Sequence, residues 1–289
     1  MQTDSQRCRR FALLLSVACF ATLSFVAVSP ASAGPWSKSG GAFYLKLNQS
    51  LFVADNFVDV SGTIVDGVKS FSATSALYGE LGLGYGLQAA LSLPFVHVCN
   101  DIGAGDHCRS SAGDLSLMLQ YQLPRLLAPI LIALRGELKI PLYAINNSDP
   151  FERPRAGDGQ LDATLWLSAG GSFGRLPLYG FVEAGYRHRS EIYVGDTPTD
   201  RQFNDSLTLS AQAGYTLWSR LLLGLTLNGA LPFRENQVTK GYLTLGPFAA
   251  YRLYRGLALE ASFDPMIYAV ASVRGFSGSL GLSYQREPR

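Results

Sequence analysis

The chain has 289 residues, 47% of them hydrophobic and only 16% charged, with a formal net charge of +2. Beyond an apolar leader the longest apolar run is 126–134, far short of the ~20 residues a spanning helix needs. Acidic and basic side chains balance once the leader's Asp4, Arg7, Arg9 and Arg10 are set aside, which removes any electrostatic case for nucleic acid.

Residues 1–33 have the layout of a secretory signal peptide. Arg7, Arg9 and Arg10 supply a basic start, 11–28 is almost wholly apolar, and Ala31, Ser32 and Ala33 form a small-residue cleavage pattern before Gly34. A lipoprotein signal at Cys19 competes, but Ser16 stands where a bulky aliphatic residue is expected, and the apolar run continues past the cysteine. The expectation is Sec-type export and one mature domain, 34–289. Cys8 and Cys19 leave with the leader. Cys99 and Cys108 remain, flanking a Gly- and Asp-rich stretch of an exported chain, so a disulfide is expected. It would contribute roughly 2.5–3 kcal/mol in the chain-entropy model. His107 with two thiols makes an incomplete ligand set, and no metal or cofactor is expected.

After a short polar leader, 34–40, the chain alternates with a period of two, the signature of strands with one apolar and one polar face. The first strand, 42–50, sets Phe43, Leu45 and Leu47 against Tyr44, Lys46 and Asn48. A long loop is expected over 53–72. The second places Leu77, Leu81 and Leu83 opposite Tyr78 and Glu80, and turns tightly at Gly84, Tyr85 and Gly86 into the third, with Leu87, Ala89, Leu91, Leu93 and Phe95 on one side. A cysteine loop follows.

The clearest stretch is 113–142. Leu115, Leu117, Leu119, Tyr121 and Leu123 oppose Asp114, Ser116, Met118, Gln120 and Gln122; then Ile132, Leu134, Leu138, Ile140 and Leu142 oppose Arg135, Glu137 and Lys139. About ten such residues tilted by about 40° climb roughly 25 Å, the height of the lipid-facing band of an outer-membrane barrel. A third loop, 143–156, precedes the sixth strand, where Gln160, Asp162, Thr164 and Trp166 face away from Leu161, Ala163, Leu165 and Leu167. The seventh carries Tyr179, Glu183 and Arg187 on its polar parity; the eighth and ninth cover 207–217 and 221–228. The tenth, 242–253, carries Arg252, the eleventh sets Glu260, Ser262 and Asp264 against Leu257, Leu259, Ala261 and Phe263, and the twelfth covers 276–284.

Twelve strands with short turns alternating with longer loops predict an all-β fold, a 12-stranded antiparallel transmembrane barrel of bacterial outer-membrane type, closed by its first and last strands. Tyr85, Tyr121, Phe173, Tyr215, Trp218, Tyr254 and Tyr284 gather at the short-turn ends, as an interfacial girdle requires. Pro94, Pro141, Pro232 and Pro265 recur near the long-loop ends, where a missing donor marks fraying or a rim gap that passes apolar solute sideways. The inward parity collects the pore-lining candidates Lys46, Glu80, Asp114, Arg135, Glu137, Lys139, Asp162, Glu183, Arg187, Arg252, Glu260 and Asp264. They read either as paired charges bracing a narrow interior or as a constriction that selects solutes.

No catalytic residues are expected. His97, His107 and His188 fall at or beyond the outer rim, outside any nucleophile motif. Gly157, Asp158 and Gly159 suit a turn as well as a calcium loop.

The strand–turn–strand of 77–95 ending in Leu93, Pro94 and Phe95, the stretch 113–122, and the Gly157, Asp158, Gly159, Gln160 opening of 157–167 together resemble the outer-membrane family described as meta-pathway of phenol degradation proteins. The layout covers most of the mature chain; the Cys99–Cys108 loop departs from that pattern. The resemblance implies an outer-membrane channel or transporter for small solutes, aromatic or hydrophobic compounds among them, and brings no catalytic residues. The rival readings are a closed structural or surface-interaction barrel and a lipid-modifying enzyme, the latter favoured by a Ser and a His converging at the outer rim. Expected partners are outer-membrane lipid, a small-molecule solute and the barrel-assembly machinery, in a Gram-negative outer membrane. Residues 280–284 resemble the C-terminal assembly signal of such proteins, with five residues following Tyr284.

Overall fold

The computed structural model describes residues 34–101, 106–124, 129–144, 154, 156–172, 176–196, 203–236 and 238–288. Residues 1–33, with the expected leader, and Phe173 of the expected girdle lie outside them, as does most of the expected third loop.

Thirteen strand segments form one antiparallel sheet: β1 (Phe43–Val58), β2 (Ile64–Gly84), β3 (Leu87–Asp101), β4 (Asp106–Ala112), β5 (Asp114–Gln122), β6 (Leu131–Pro141), β7 (Gln160–Ser172), β8 (Leu178–Tyr193), β9 (Ser206–Leu217), β10 (Leu221–Pro232), β11 (Gly241–Arg252), β12 (Leu257–Val270) and β13 (Ser272–Arg286). Apart from β4 and β5, which do not pair with each other, consecutive strands pair, and β1 pairs with β13 from Phe43↔Arg286 to Val58↔Ser272, so the sheet closes. β4 and β5 share one strand position, since β3 pairs with β5 along its lower half and with β4 along its upper half. The wall is therefore a closed twelve-stranded barrel. Closure leaves no open edge, the condition for a sheet to sit in lipid.

Leucine-rich outward positions cover the wall, with Leu165 62% and Leu225 56% exposed. Tyr85, Trp218, Tyr254, Tyr215 and Tyr121 are exposed at the short-turn end. Tyr85, Trp218, Ser219 and Arg255 adopt positive φ there, the strain that turns of so few residues impose.

Two loops expected from the sequence are strand. The loop placed at 53–72 shrinks to 59–63, because β1 and β2 run on as a paired hairpin with Asn56↔Asp66 and a register shift at Asp55. Above the lipid band both faces meet water, so the period-two contrast that reveals a strand fades. Asp59 closes the tip, accepting hydrogen bonds from the Ser61 and Thr63 amides at 2.8 Å each. These bonds, with that from the Ser61 hydroxyl, hold its carboxyl below the usual range. The cysteine loop is likewise a hairpin: Cys99 and Cys108 are cross-strand partners and are bonded to each other. His97 lies close to both sulfurs, but a disulfide spends both thiolates a metal would need.

Three of the prolines sit in paired positions, whereas at Pro265 the pairing frays as expected: β11 and β12 make no pair at 263–265, between Thr244↔Met266 and Phe248↔Ser262, and β12 and β13 part beyond it. Pro94 pairs with Ala76 on one side and accepts the Gly113 amide at 2.9 Å on the other, at the handover from β4 to β5. Pro141 pairs with Asp114 and Pro232 with Ser206; Pro265 makes the last β12–β13 pair, with Phe276.

Candidate functional site

Strand parity places all twelve candidates on the inward side, and the closed wall turns that side into a lumen. Nine of them join polar networks. At the long-loop end, Tyr143 donates to Asp114 at 2.9 Å, and Lys139 lies 3.5 Å from Asp114 and 2.7 Å from Asp162. Arg189 continues this chain, 3.2 Å from Asp162 and 2.6 Å from Asp158. Charges alternate in sign along β5 to β8, so each buried ion has an opposite neighbour, the condition for tolerating it in a low dielectric. Burial raises Asp158, but Lys240, Arg189 and Lys139 outweigh it and bring its carboxyl to about 2. The Gly157–Asp158–Gly159 run thus serves the network: a side chain on Gly157 would strike the Tyr143 hydroxyl, and the Gly159 amide donates to that oxygen at 2.9 Å.

Nearer the short turns, Arg135 grips Glu183 with two hydrogen bonds of 3.2 and 3.0 Å and lies over the Trp166 ring. Trp166 donates to Glu137 at 2.9 Å. Lower still, Glu260 receives Lys46 at 2.6 Å, Tyr44 at 2.9 Å and the Ser283 hydroxyl. Glu80 accepts from Tyr78 at 2.7 Å and pairs with Lys38 at 3.2 Å. Arg187, Arg252 and Asp264 make no ion pair among the described residues; Asp264 accepts from Ser262 at 2.6 Å.

The opposite half of the wall differs. Its inward positions include Ser210, Thr226, Asn228, Thr244, Ser262, Ser277 and Ser279, and Asn228 is exposed although it points inward. These hydroxyls and amides, half-buried apart from exposed Asn228 and buried Thr244, form an uncharged polar strip beside the cross-linked charges of β5 to β8.

Residues 34–40, expected as a short polar leader, are built into the lumen. The Ser37 and Lys38 amides donate to Gln122 and Gln88 at 2.9 Å each, and Gln120 donates to the Gly34 and Trp36 carbonyls at 3.2 Å. Trp36 packs edge-on against Tyr179 and Phe181 of β8, with ring centroids 6.0 Å apart in both cases. The sequence signal for this strap was the set of inward glutamines, Gln88, Gln120 and Gln122, of which the first two are cross-strand partners. Arg189 was missed because the inward parity of β8 runs two residues beyond the stretch that alternates cleanly.

No family model matches the chain, and no curated protein matches it. Among solved structures, an outer membrane channel from Pseudomonas putida F1 superposes with a TM-score of 0.74 over 90% of this chain and 100% of that one, at 15% identity. The NanC porin superposes with a TM-score of 0.54 over 83% of this chain and 98% of that one, at 9% identity. At these identities the likeness is one of fold, and the fold is that of outer-membrane barrels.

Proposed function

We propose that the protein is an outer-membrane channel that lets small solutes diffuse through its lumen. The carrying observation is the one-sided polarity of a closed barrel, apolar outside and polar inside, with an inward strip of uncharged Ser, Thr and Asn in which Asn228 is exposed and most of the others are half-buried. The two superposing barrels that are described as a channel and a porin support this reading. In it, lipid surrounds the apolar face, the short turns face the periplasm and the longer connections face outside, after Sec-type export and insertion by the barrel-assembly machinery. Because most of the β5–β8 charges are paired, Arg135 with Glu183 and Lys139 and Arg189 with Asp114, Asp162 and Asp158, the lumen offers little net field, which suits small neutral solutes, aromatic ones among them. Mature protein refolded into a planar bilayer is expected to give discrete conductance steps. Silence from folded protein, both intact and lacking residues 34–41, overturns the reading and favours a closed structural barrel.

One observation bears on an enzymatic alternative. His97 Nδ1 lies 2.7 Å from Ser110 Oγ at the outer rim, a convergence that lipid hydrolysis would need. The other ring nitrogen faces the disulfide sulfur of Cys99 at 3.4 Å, where a triad requires a polar group able to orient the imidazole. We therefore expect a fluorophosphonate probe to leave Ser110 unlabelled; stoichiometric labelling would revive the hydrolase.

A further inference from the structure

The strap has a wall shaped to receive it. Gly82 of β2 points inward, and a Cβ there would lie 2.1 Å from the Ser39 carbonyl oxygen and 2.6 Å from that of Lys38. The backbone of the strap can lie on the wall only because that side chain is missing. At its far end, a Cβ on Gly170 of β7 would fall 2.5 Å from Phe181 Cβ, and one on Gly214 of β9 would fall 2.5 Å from the Tyr179 ring. Inward glycines on both neighbouring strands thus make room for two adjacent rings of β8. Gly34 sits against the Phe181 ring at φ +104°, a conformation that other residues rarely adopt. Tyr179 is fixed from behind by donating to Gln212 at 2.7 Å.

The strap leaves the wall at β1, and its indole rests on β8, the strand diametrically opposite in a ring of twelve positions. A segment held along this half of the ring narrows the short-turn mouth. Beside the Gln120 bonds to the Gly34 and Trp36 carbonyls, the hold of its indole is edge-to-face contact between aromatic rings, a geometry that any planar ring of similar size can reproduce.

We propose that Tyr179 and Phe181, with Gly170 and Gly214 beside them, form an aromatic-binding seat inside the short-turn mouth. Trp36 fills this seat in the closed state, and a planar aromatic solute of indole size takes it as the strap swings away. The inference rests on the channel reading and names the solute class its gate responds to. Tethering fixes the concentration at which the two compete. A ligand on a short chain segment presents itself at an effective concentration on the order of millimolar, so free solute displaces the strap only in that range.

The test is single-channel recording on mature wild-type protein, W36A and a chain lacking residues 34–41, each shown by heat-modifiable gel migration to be a folded barrel. W36A and the deletion are expected to conduct at least about twice as well as wild type, because the strap no longer occludes the mouth. Indole at about 1–10 mM should then partly block W36A by refilling the seat, and should leave W36A carrying F181A unaffected. Equal conductance in all three chains overturns the closure while sparing the channel. An open W36A that ignores indole overturns the seat. Silence of both folded variants overturns the channel reading and this inference with it.

Discussion

Gly82 is the point on the β2 wall where the strap's backbone comes closest. In a strand interior a glycine ordinarily weakens the sheet and is read as a bulge or a close approach, and nothing in the alternation around it says which. The structure supplies the partner: two carbonyls of residues 38 and 39, well inside contact distance of any side chain placed there. Gly82→Ala should therefore unseat the strap at a cost of roughly 1–3 kcal/mol, the usual penalty for overfilling a packed site, while the β1–β2 ladder through Phe43↔Leu81 persists. Limited proteolysis of the refolded barrel reads this directly, since the variant should lose its N-terminal residues and keep its core. A strap that stays protected would show that the wall can yield at this point. The inward charges were legible one by one from parity, whereas their pairing was not, because Lys139 and Asp162 or Arg135 and Glu183 meet only once β6, β7 and β8 are laid side by side.

Among the elements, β7 and β8 show where legibility stops. The membrane-level halves were evident because lipid on one side and polar lumen on the other impose a contrast at every step, as in Leu161 to Leu167. Above that level, Arg189 and Asp158 tie the start of β7 to the top of β8 at 2.6 Å, a link with no periodic signature. The same loss of contrast hid the upper halves of β1, β2, β3 and β13. The Asp158 tie has a pH signature. Its carboxyl lies at about 2 in the folded chain, depressed by Lys240, Arg189 and Lys139 against the opposing effect of burial. A depressed carboxyl stabilises the fold above its unfolded value near 3.8, and that stabilisation fades as pH falls toward 2. The loss should be at most about 2 kcal/mol, with some discount for partial exposure. Unfolding midpoints recorded between pH 5 and pH 2 should fall more steeply for wild type than for Asp158→Asn; parallel curves would mean the tie carries no net stabilisation.

For the molecule as a whole, the decisive quantity is the field inside the lumen. Porin-like barrels gain ion preference from rings of unpaired charge, and here nine of the twelve inward candidates are engaged with polar partners, while hydroxyls and amides line the rest. Once the mouth is cleared by removing residues 34–41 together with Glu80→Gln, which takes away both halves of the Lys38–Glu80 pair, such a lumen should discriminate weakly between potassium and chloride, with a reversal potential near zero in a KCl gradient. Breaking one pair should set the sign. Glu260 accepts Lys46, Tyr44 and Ser283 together, so Glu260→Gln leaves the Lys46 ammonium without its counter-charge in a lumen already lacking Lys38 of the strap. The reversal potential should then move toward chloride. A barrel strongly cation- or anion-selective before that substitution would mean that Arg187, Arg252 or Asp264, the candidates outside the ion-pair networks, govern the field, and the search for specificity would move to them.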